Sequence, residues 1–279
     1  MLHYRRLASE LVRQRTSQRT YLPIPLEDHQ RQALNEAIEK IGTGPFGGAA
    51  RVRLVEGAAL GPDDLRRFGS YGFISGATAF LSGTIDRGRD LVDFGFVFEQ
   101  LILAATELGL GTCWVGGTLH RGAIAELIGA GPDDVVPAMS PVGATPPRRG
   151  LRDRLVRWSA GSADRKPASE LFLDRSGRPF VSDGGIAAAL EAVRLAPSAS
   201  NRQPWRVVED GGALHFWLRR SPGYRKLAAV DLQRIDMGIA LCHFALVARE
   251  VGLPGALAVS APAGPLLAGA EYVVTWIRP

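Results

Sequence analysis

The chain has 279 residues, 46% hydrophobic and 22% charged, proportions of a soluble globular protein with apolar material for one large domain or two ordinary ones. Its net charge of +5 comes mostly from dispersed arginine, which suits a solvated surface or a site for an anion such as a phosphate. No basic run with interleaved aromatics marks a nucleic-acid surface, and Cys113 and Cys242 stand far apart without CxxC or Cys/His spacing. A disulfide framework and a metal site are therefore not expected, and a reducing cytoplasm is the expected compartment. The charged start, MLHYRRLASELVRQR, lacks the apolar stretch of a signal peptide.

Residues 1–14 read as a short amphipathic helix, followed by Arg15-Thr-Ser17-Gln-Arg19. In an extended segment alternate residues share a side, which places Arg15, Ser17 and Arg19 together as a phosphate cradle. Taken alone, the same segment reads as a solvated arginine-rich loop. A helix is predicted from Pro25 to Ile41, with proline near its first turn and Gly42 just past its end. Gly42-Thr-Gly44-Pro-Phe-Gly47 matches GxGxxG in form only. A helix precedes it and a predicted strand, Arg51–Glu56, follows, the reverse of the dinucleotide-binding order.

The apolar run from Gly72 to Ser82 predicts a buried strand. The stretch Asp93–Gly117, DFGFVFEQLILAATELGLGTCWVGG, predicts a long helix packed on every side that ends in a glycine-rich exit. Asp93, Glu99 and Glu107 interrupt it too often for a membrane span. Further on come a short helix at Ile124–Ile128, a strand at Val135–Val142 and a basic stretch from Pro146 to Arg154. Residues 159–169, SAGSADRKPAS, read as a linker between a first half (1–158) and a second (170–279). The second half predicts a helix at Gly184–Leu195 capped by Ser182 or Asp183 and ended by Pro197. A loop from Ser198 to Trp205 then leads to strands at Arg206–Glu209 and Leu214–Leu218, a second central helix at 236–251, and a strand at Tyr272–Ile277.

The long helix occurs twice. Asp236–Leu253 repeats Asp93–Leu110, with identical pairs at Asp93/Asp236, Gly95/Gly238, Leu103/Leu246, Ala105/Ala248, Glu107/Glu250, Gly109/Gly252 and Leu110/Leu253. A shared Asp-x-Gly beginning and Glu-x-Gly-Leu end point to an internal duplication.

The run Ala196-Pro197-Ser198-Ala199-Ser200-Asn201-Arg202-Gln203-Pro204-Trp205, entered directly from a helix, resembles the nitroreductase family of FMN-dependent oxidoreductases. Arg15-x-Ser17-x-Arg19 resembles that family's phosphate-binding start. Leu108 to Gly117, with Trp114-Val115-Gly116-Gly117, resembles its flavin-edge segment. The resemblance implies an α+β fold of two pseudo-symmetric halves, each a mainly antiparallel sheet flanked by helices, packed through the long central helices.

The family normally forms a homodimer with FMN between subunits, and this chain departs from that pattern. Its first half carries the arginine and glycine segments, but GTGPFGGAA stands where the Pro-Ser-x-x-Asn loop belongs. Its second half carries the loop, but Gly252-Leu253 runs into Pro254 without Trp-x-Gly-Gly, and Arg175-Ser-Gly-Arg178 is a degenerate arginine start. The implied molecule resembles the single-chain, duplicated branch of the superfamily: a monomeric pseudo-dimer with one complete FMN site and one vestigial site.

By this resemblance Arg15, Ser17 and Arg19, with Arg148 or Arg149, hold the phosphate. Pro197, Ser198, Ala199, Ser200, Asn201 and Gln203 line the ring and ribityl chain, and Val115, Gly116 and Gly117 follow the flavin edge. The Gly116 N–H would bond N5, with no catalytic side chain required and no general acid visible. NAD(P)H is the implied reductant and a small nitroaromatic or quinone-like compound the implied acceptor. The alternative is a flavin-binding sensor, store or scaffold with little turnover, and a third reading is a non-reductive flavin enzyme. Among the histidines no dyad is evident, and His243 reads as a packed or capped residue of the second central helix.

Overall fold

The computed structural model describes residues 1–56, 74–117, 119–147, 164–222, 230–264 and 266–279. The first part of the chain runs α1 (Ala8–Gln14), α2 (Asp28–Lys40), β1 (Ala50–Glu56), β2 (Ala79–Asp86), α3 (Leu91–Glu107), β3 (Gly111–Thr112), α4 (Arg121–Ile128), β4 (Asp134–Val135) and β5 (Met139–Gly143). After α5 (Ala168–Leu171) and β6 (Phe172–Asp174) come α6 (Gly184–Leu195), a 3-10 turn (Ala199–Asn201), β7 (Trp205–Asp210) and β8 (Ala213–Leu218). The chain closes with α7 (Leu232–Glu250), β9 (Ala256–Ala258) and β10 (Glu271–Ile277).

Two sheets follow the same path. One is ordered β1-β2-β5-β3 with β4 also on β2; the other is β7-β8-β10-β9 with β6 outside β7. Among the described ladders only β6–β7 is parallel. Along the path the sheets share, a helix precedes the first strand (α2 before β1, α6 before β7) and the long helix comes after the second (α3 after β2, α7 after β8). The architecture is α+β and consistent with two halves.

The long helices meet at the glycines the repeat had matched. A methyl group on Gly95 would lie 2.2 Å from the Ile235 carbonyl oxygen, and one on Gly238 would lie 2.1 Å from that of Val92. No side chain fits there, so the backbones themselves touch. Around that crossing Phe94, Phe98, Leu101, Phe244 and Leu241 are fully buried. Burial on every side explains why neither helix shows a polar face. Among the described residues no helix is long and apolar enough to cross a membrane.

The halves also exchange polar contacts. Asp90, which caps α3 by accepting from the Val92 N–H, forms an ion pair with Arg234 of α7. The matched acids Glu107 and Glu250 both receive the chain's beginning: Glu107 accepts from the Arg6 N–H at 2.8 Å and Glu250 from the Ser9 N–H at 2.9 Å. Helix α1 packs Ala8, Leu11 and Val12 into the same apolar cluster as Trp205, Phe216 and Phe244.

Several sequence expectations are corrected in detail. Asp93 and Asp236 do not start their helices. Asp90 and Asp231 are the N-caps, each side chain accepting a backbone N–H of the first turn, and the matched aspartates lie one turn inside, bonded to loops. The first-half helix α2 begins at Asp28 after a Glu27–Gln30 capping box, three residues beyond Pro25. The strand expected over Gly72–Ser82 runs instead from Ala79 to Asp86, Gly72 lying outside the described residues. The strand expected over Val135–Val142 is split into β4 and β5, because Pro137 between them has no N–H to give a ladder. Asp183 occupies the N-cap of α6 without a side-chain bond to it.

Candidate functional site

The arginine segment and the glycine segment lie side by side. Ser17 bridges Thr112 of β3, and the Gln18 N–H donates to the Thr112 carbonyl at 2.8 Å. Gly111 permits this closeness, since a methyl group there would come within 3.0 Å of the Gln18 side chain. Ser17 and Arg19 are half-buried, whereas Arg15 is only 6% exposed. Being the C-cap residue of α1, Arg15 leaves the helix turned inward, with its Nε 3.8 Å from Glu99 Oε1 on α3.

No nitrogen of the Arg15 guanidinium makes a hydrogen bond within the described residues, and its Nε is sealed from solvent. Burial pulls this guanidinium below its ordinary pKa, and Glu99 opposes the shift. A buried cation without an acceptor is expensive.

The glycine segment is pinned at both ends. Trp114 donates its indole N–H to Glu99 Oε2 at 2.7 Å and packs edge-on against Phe98 at 4.8 Å between ring centres. Val115 exchanges backbone hydrogen bonds with Met139 at 2.9 Å. Arg121 of α4 donates to the Gly116 carbonyl at 2.6 Å, orienting the peptide, and burial lowers the pKa of that guanidinium. The Gly116 N–H meets no acceptor among the described residues, although the residue is half-exposed. Gly117 is exposed.

The loop from the other half arrives at the same helix end. A methyl group on Gly116 would lie 2.8 Å from Leu232 Cδ2, and one on Gly117 would lie 3.8 Å from Leu232 Cδ1. One turn along α7 from Leu232, Asp236 Oδ1 accepts the Ala199 N–H at 2.9 Å. Positions four apart share a helix face, so the start of α7 gathers Gly116, Gly117 and Ala199.

The loop itself is strained. Ser200, Asn201 and Gln203 have φ of 49°, 52° and 49°, the only left-handed residues other than glycine among those described. Each costs of order 1–3 kcal/mol, and such outliers cluster at ligand clamps. The Ser198 hydroxyl accepts the Gln203 N–H at 2.8 Å and closes the turn. Ser198 and Ala199 are half-buried, Pro197 likewise, and Ser200 is exposed.

Asn201 and Gln203 turn away from this meeting point. Asn201 donates to the Asp164 carbonyl at 2.8 Å and accepts from Arg165 at 3.1 Å, while Gln203 accepts the Lys166 N–H at 2.8 Å. Thus the end of the expected linker lies over the loop. Arg148 and Arg149 fall outside the described residues, as do positions 159–163 of that linker.

Sequence reasoning brought the three segments forward but missed what holds them. Arg121 carried no motif. Leu232 lay before the helix expected at 236–251, which in the structure begins at that residue. Glu99 had one visible sign, an acid inside a helix buried on every side.

A family model described as "Putative TM nitroreductase" matches residues 8–248. The chain belongs to this nitroreductase family. Among solved structures, a protein of Thermotoga maritima described as a "putative nitroreductase" is 20% identical at a TM-score of 0.61, covering 99% of this chain and 96% of that one. It shares the nitroreductase fold along its whole length. A nitroreductase with bound FMN from Desulfitobacterium hafniense is 21% identical at a TM-score of 0.40, over 53% of this chain and 95% of that one. The NADPH:FMN oxidoreductase of Vibrio harveyi, complexed with NAD+, is 21% identical at 0.42, over 52% and 74%. No curated protein matches the chain.

Proposed function

We propose that this nitroreductase is an FMN-dependent oxidoreductase with one flavin site per chain, assembled from residues of both halves. The observation that carries the reading is a pair of unmet donors on adjoining segments: the buried Arg15 guanidinium and the half-exposed Gly116 N–H, neither with a hydrogen-bond acceptor among the described residues. An anion at the first and a ring nitrogen at the second satisfy both, which is what a flavin mononucleotide offers. When bound, FMN supplies hydride transfer between a nicotinamide reductant, NADH or NADPH, and a small nitroaromatic or quinone-like acceptor.

The chain's own residues bind and orient. Arg15, Ser17 and Arg19 take the phosphate end, joined by Arg148 or Arg149. Val115, Gly116 and Gly117 run along the ring edge, where Arg121 fixes the Gly116 peptide and the missing Cβ permits close approach. Pro197, Ser198, Ala199 and Ser200 line the opposite side. Asn201 and Gln203 act from behind, holding that loop against residues 164–166.

The internal repeat makes the molecule a pseudo-dimer in one chain, divided by the linker at residues 159–169. The first-half loop at 42–48 and the segment after Gly252 leave the symmetry-related site without its parts. We expect a monomer in solution, checked by mass measurement.

The closing of residues 164–166 over Asn201 and Gln203 favours a second reading, a flavin-holding protein with little turnover. One experiment separates them. The purified protein is titrated with FMN, then reduced anaerobically with NADPH and with NADH. One flavin per chain, bleached by a nicotinamide and restored by an acceptor, supports the oxidoreductase. Flavin that binds but is not bleached supports the holding protein. Two flavins per chain overturn the single site, and no uptake overturns both readings.

A further inference from the structure

Glu99 and His243 are both completely buried, and neither belongs to any segment assigned above. They join the two long helices at their centre: His243 Nε2 lies 2.9 Å from Glu99 Oε1. The other ring nitrogen, Nδ1, lies 3.1 Å from the Ala192 carbonyl of α6, which can only accept, so Nδ1 donates there and the Nε2–Oε1 contact shares one further proton. His243 is therefore fixed in orientation from its own half and presents Nε2 to Glu99.

On its far side Glu99 faces the candidate site twice. Its Oε2 accepts the Trp114 indole N–H at 2.7 Å, one residue before the Val115-Gly116-Gly117 edge. Its Oε1 is the nearest counter-charge to Arg15, at 3.8 Å, a cation with no hydrogen bond among the described residues. The matched position on α7 is Cys242, and that thiol is buried and held well above its ordinary pKa by desolvation. The carboxylate is thus present on the side of the crossing where the arginine and glycine segments lie and missing on the other.

We propose that Glu99, braced by His243 across the crossing, is the positioning residue of the flavin site. It holds Trp114 by a hydrogen bond and keeps the buried Arg15 in place by charge, so that the guanidinium meets the flavin phosphate. Without the carboxylate, a desolvated guanidinium beside a protein-only environment swings toward water and leaves the site. This inference rests on the flavin reading, and its test is chosen to separate the two.

The full-length apoprotein is titrated with FMN and with riboflavin, which lacks the phosphate, for the wild type, Glu99→Gln, Arg15→Gln and the double variant. Glutamine keeps an amide oxygen to accept from Trp114 and turns an amide N–H toward Nε2 of His243, which accepts it in the Nδ1–H tautomer, so Glu99→Gln removes the charge while both contacts persist. The expected result is an FMN Kd raised about tenfold by Glu99→Gln with riboflavin affinity nearly unchanged, and no further loss of FMN preference in the double variant. Equal weakening of both flavins, or losses that add in the double variant, gives Glu99 a purely structural role and overturns the inference. Uptake of FMN by the wild type with an unchanged preference in Glu99→Gln overturns it too, while leaving the flavin reading intact. No uptake by the wild type overturns both. If Glu99→Gln does not fold, His243→Gln, which leaves the carboxylate charged but moves its brace, is read in the same cycle with a smaller loss of preference expected.

Discussion

Asp93 and Asp236 occupy matched positions on α3 and α7, and each reaches out to the loop that follows the preceding helix of its own half. In the first half both oxygens are used: Oδ1 accepts from Phe46 and Oδ2 from Gly48, each at 2.7 Å. That loop is built from glycine, and a methyl group on Gly44 would strike Asp93 Oδ1 at 2.3 Å. In the second half Asp236 accepts from Ala199 alone among the described residues, and its Oδ2 is buried without a partner there. One loop is closed tightly over its carboxylate. The other leaves a carboxylate oxygen unmet, carries hydroxyl and amide side chains at left-handed φ, and lies beside Gly116. The same anchor stands at both matched positions, and among the described residues only the second loop shows the strain and the unsatisfied polar atom expected of a ligand-binding loop.

Both loops are anchored on the two crossing helices, and breaking that crossing has the largest expected effect. Gly95→Ala and Gly238→Ala each drive a methyl group into backbone rather than into a movable side chain. Each variant is expected to lose about 3 kcal/mol or more, a fall in Tm of roughly 10 °C by thermal unfolding. Near-equal losses support a symmetric crossing. A loss confined to one glycine would show that the halves have diverged at their centre as well as in their loops.

The two aspartates themselves give the sharper contrast. Asp93→Asn places an amide donor against one of two backbone N–H groups and is expected to cost about 2 kcal/mol. Asp236→Asn keeps the one bond it needs and removes a buried carboxylate, so at neutral pH it is expected to be neutral or stabilising. Burial raises the pKa of both, that of Asp236 well above the aspartate range, while the Phe46 and Gly48 N–H groups oppose the rise at Asp93. With the folded pKa raised, the native state binds more protons than the unfolded chain above about pH 4, so stability falls as pH rises through that window. Asp236→Asn removes that fall. Its Tm relative to wild type should therefore climb from pH 4 toward neutrality, and a flat difference would mean that Oδ2 finds a partner in solution.

How far the sequence could be read follows from the range of the interactions involved. Gly95 and Gly238 were visible as a repeat because a backbone contact tolerates nothing else, while the α+β architecture came from the resemblance to the nitroreductase family. The Ala-Pro-Ser-x-x-Asn loop was visible through its resemblance to the family's loop, and the left-handed φ of Ser200, Asn201 and Gln203 emerged only in the structure. Alternation placed Arg15 beside Ser17 and Arg19, yet Arg15 caps a helix and turns inward to a carboxylate 84 positions away, which no local pattern encodes. The same holds for Asn201 and Gln203, whose partners at 164–166 come from a segment that reads as linker. The true caps, Asp90 and Asp231, were overlooked because the stronger Asp-x-Gly match lay one turn further along each helix.

The smallest expected effects lie in the loops' backbones. The first loop already places glycine at its left-handed position, Gly47, with φ of 82° and no atom within 4 Å of the place a methyl group would take. Gly47→Ala therefore tests conformation alone and is expected to cost about 1 kcal/mol. The second loop has Ser200 at φ 49°, exposed to solvent. Ser200→Gly relieves that strain but frees the unfolded chain, leaving a net gain of up to about 0.5 kcal/mol in denaturant unfolding. The two changes should thus move stability in opposite directions, as expected if the second loop keeps its strain for binding rather than for folding. If Ser200→Gly instead costs as much as Gly47→Ala, the Ser200 side chain holds the loop in shape, and its left-handed backbone is a consequence of that anchoring rather than a sign of a ligand site.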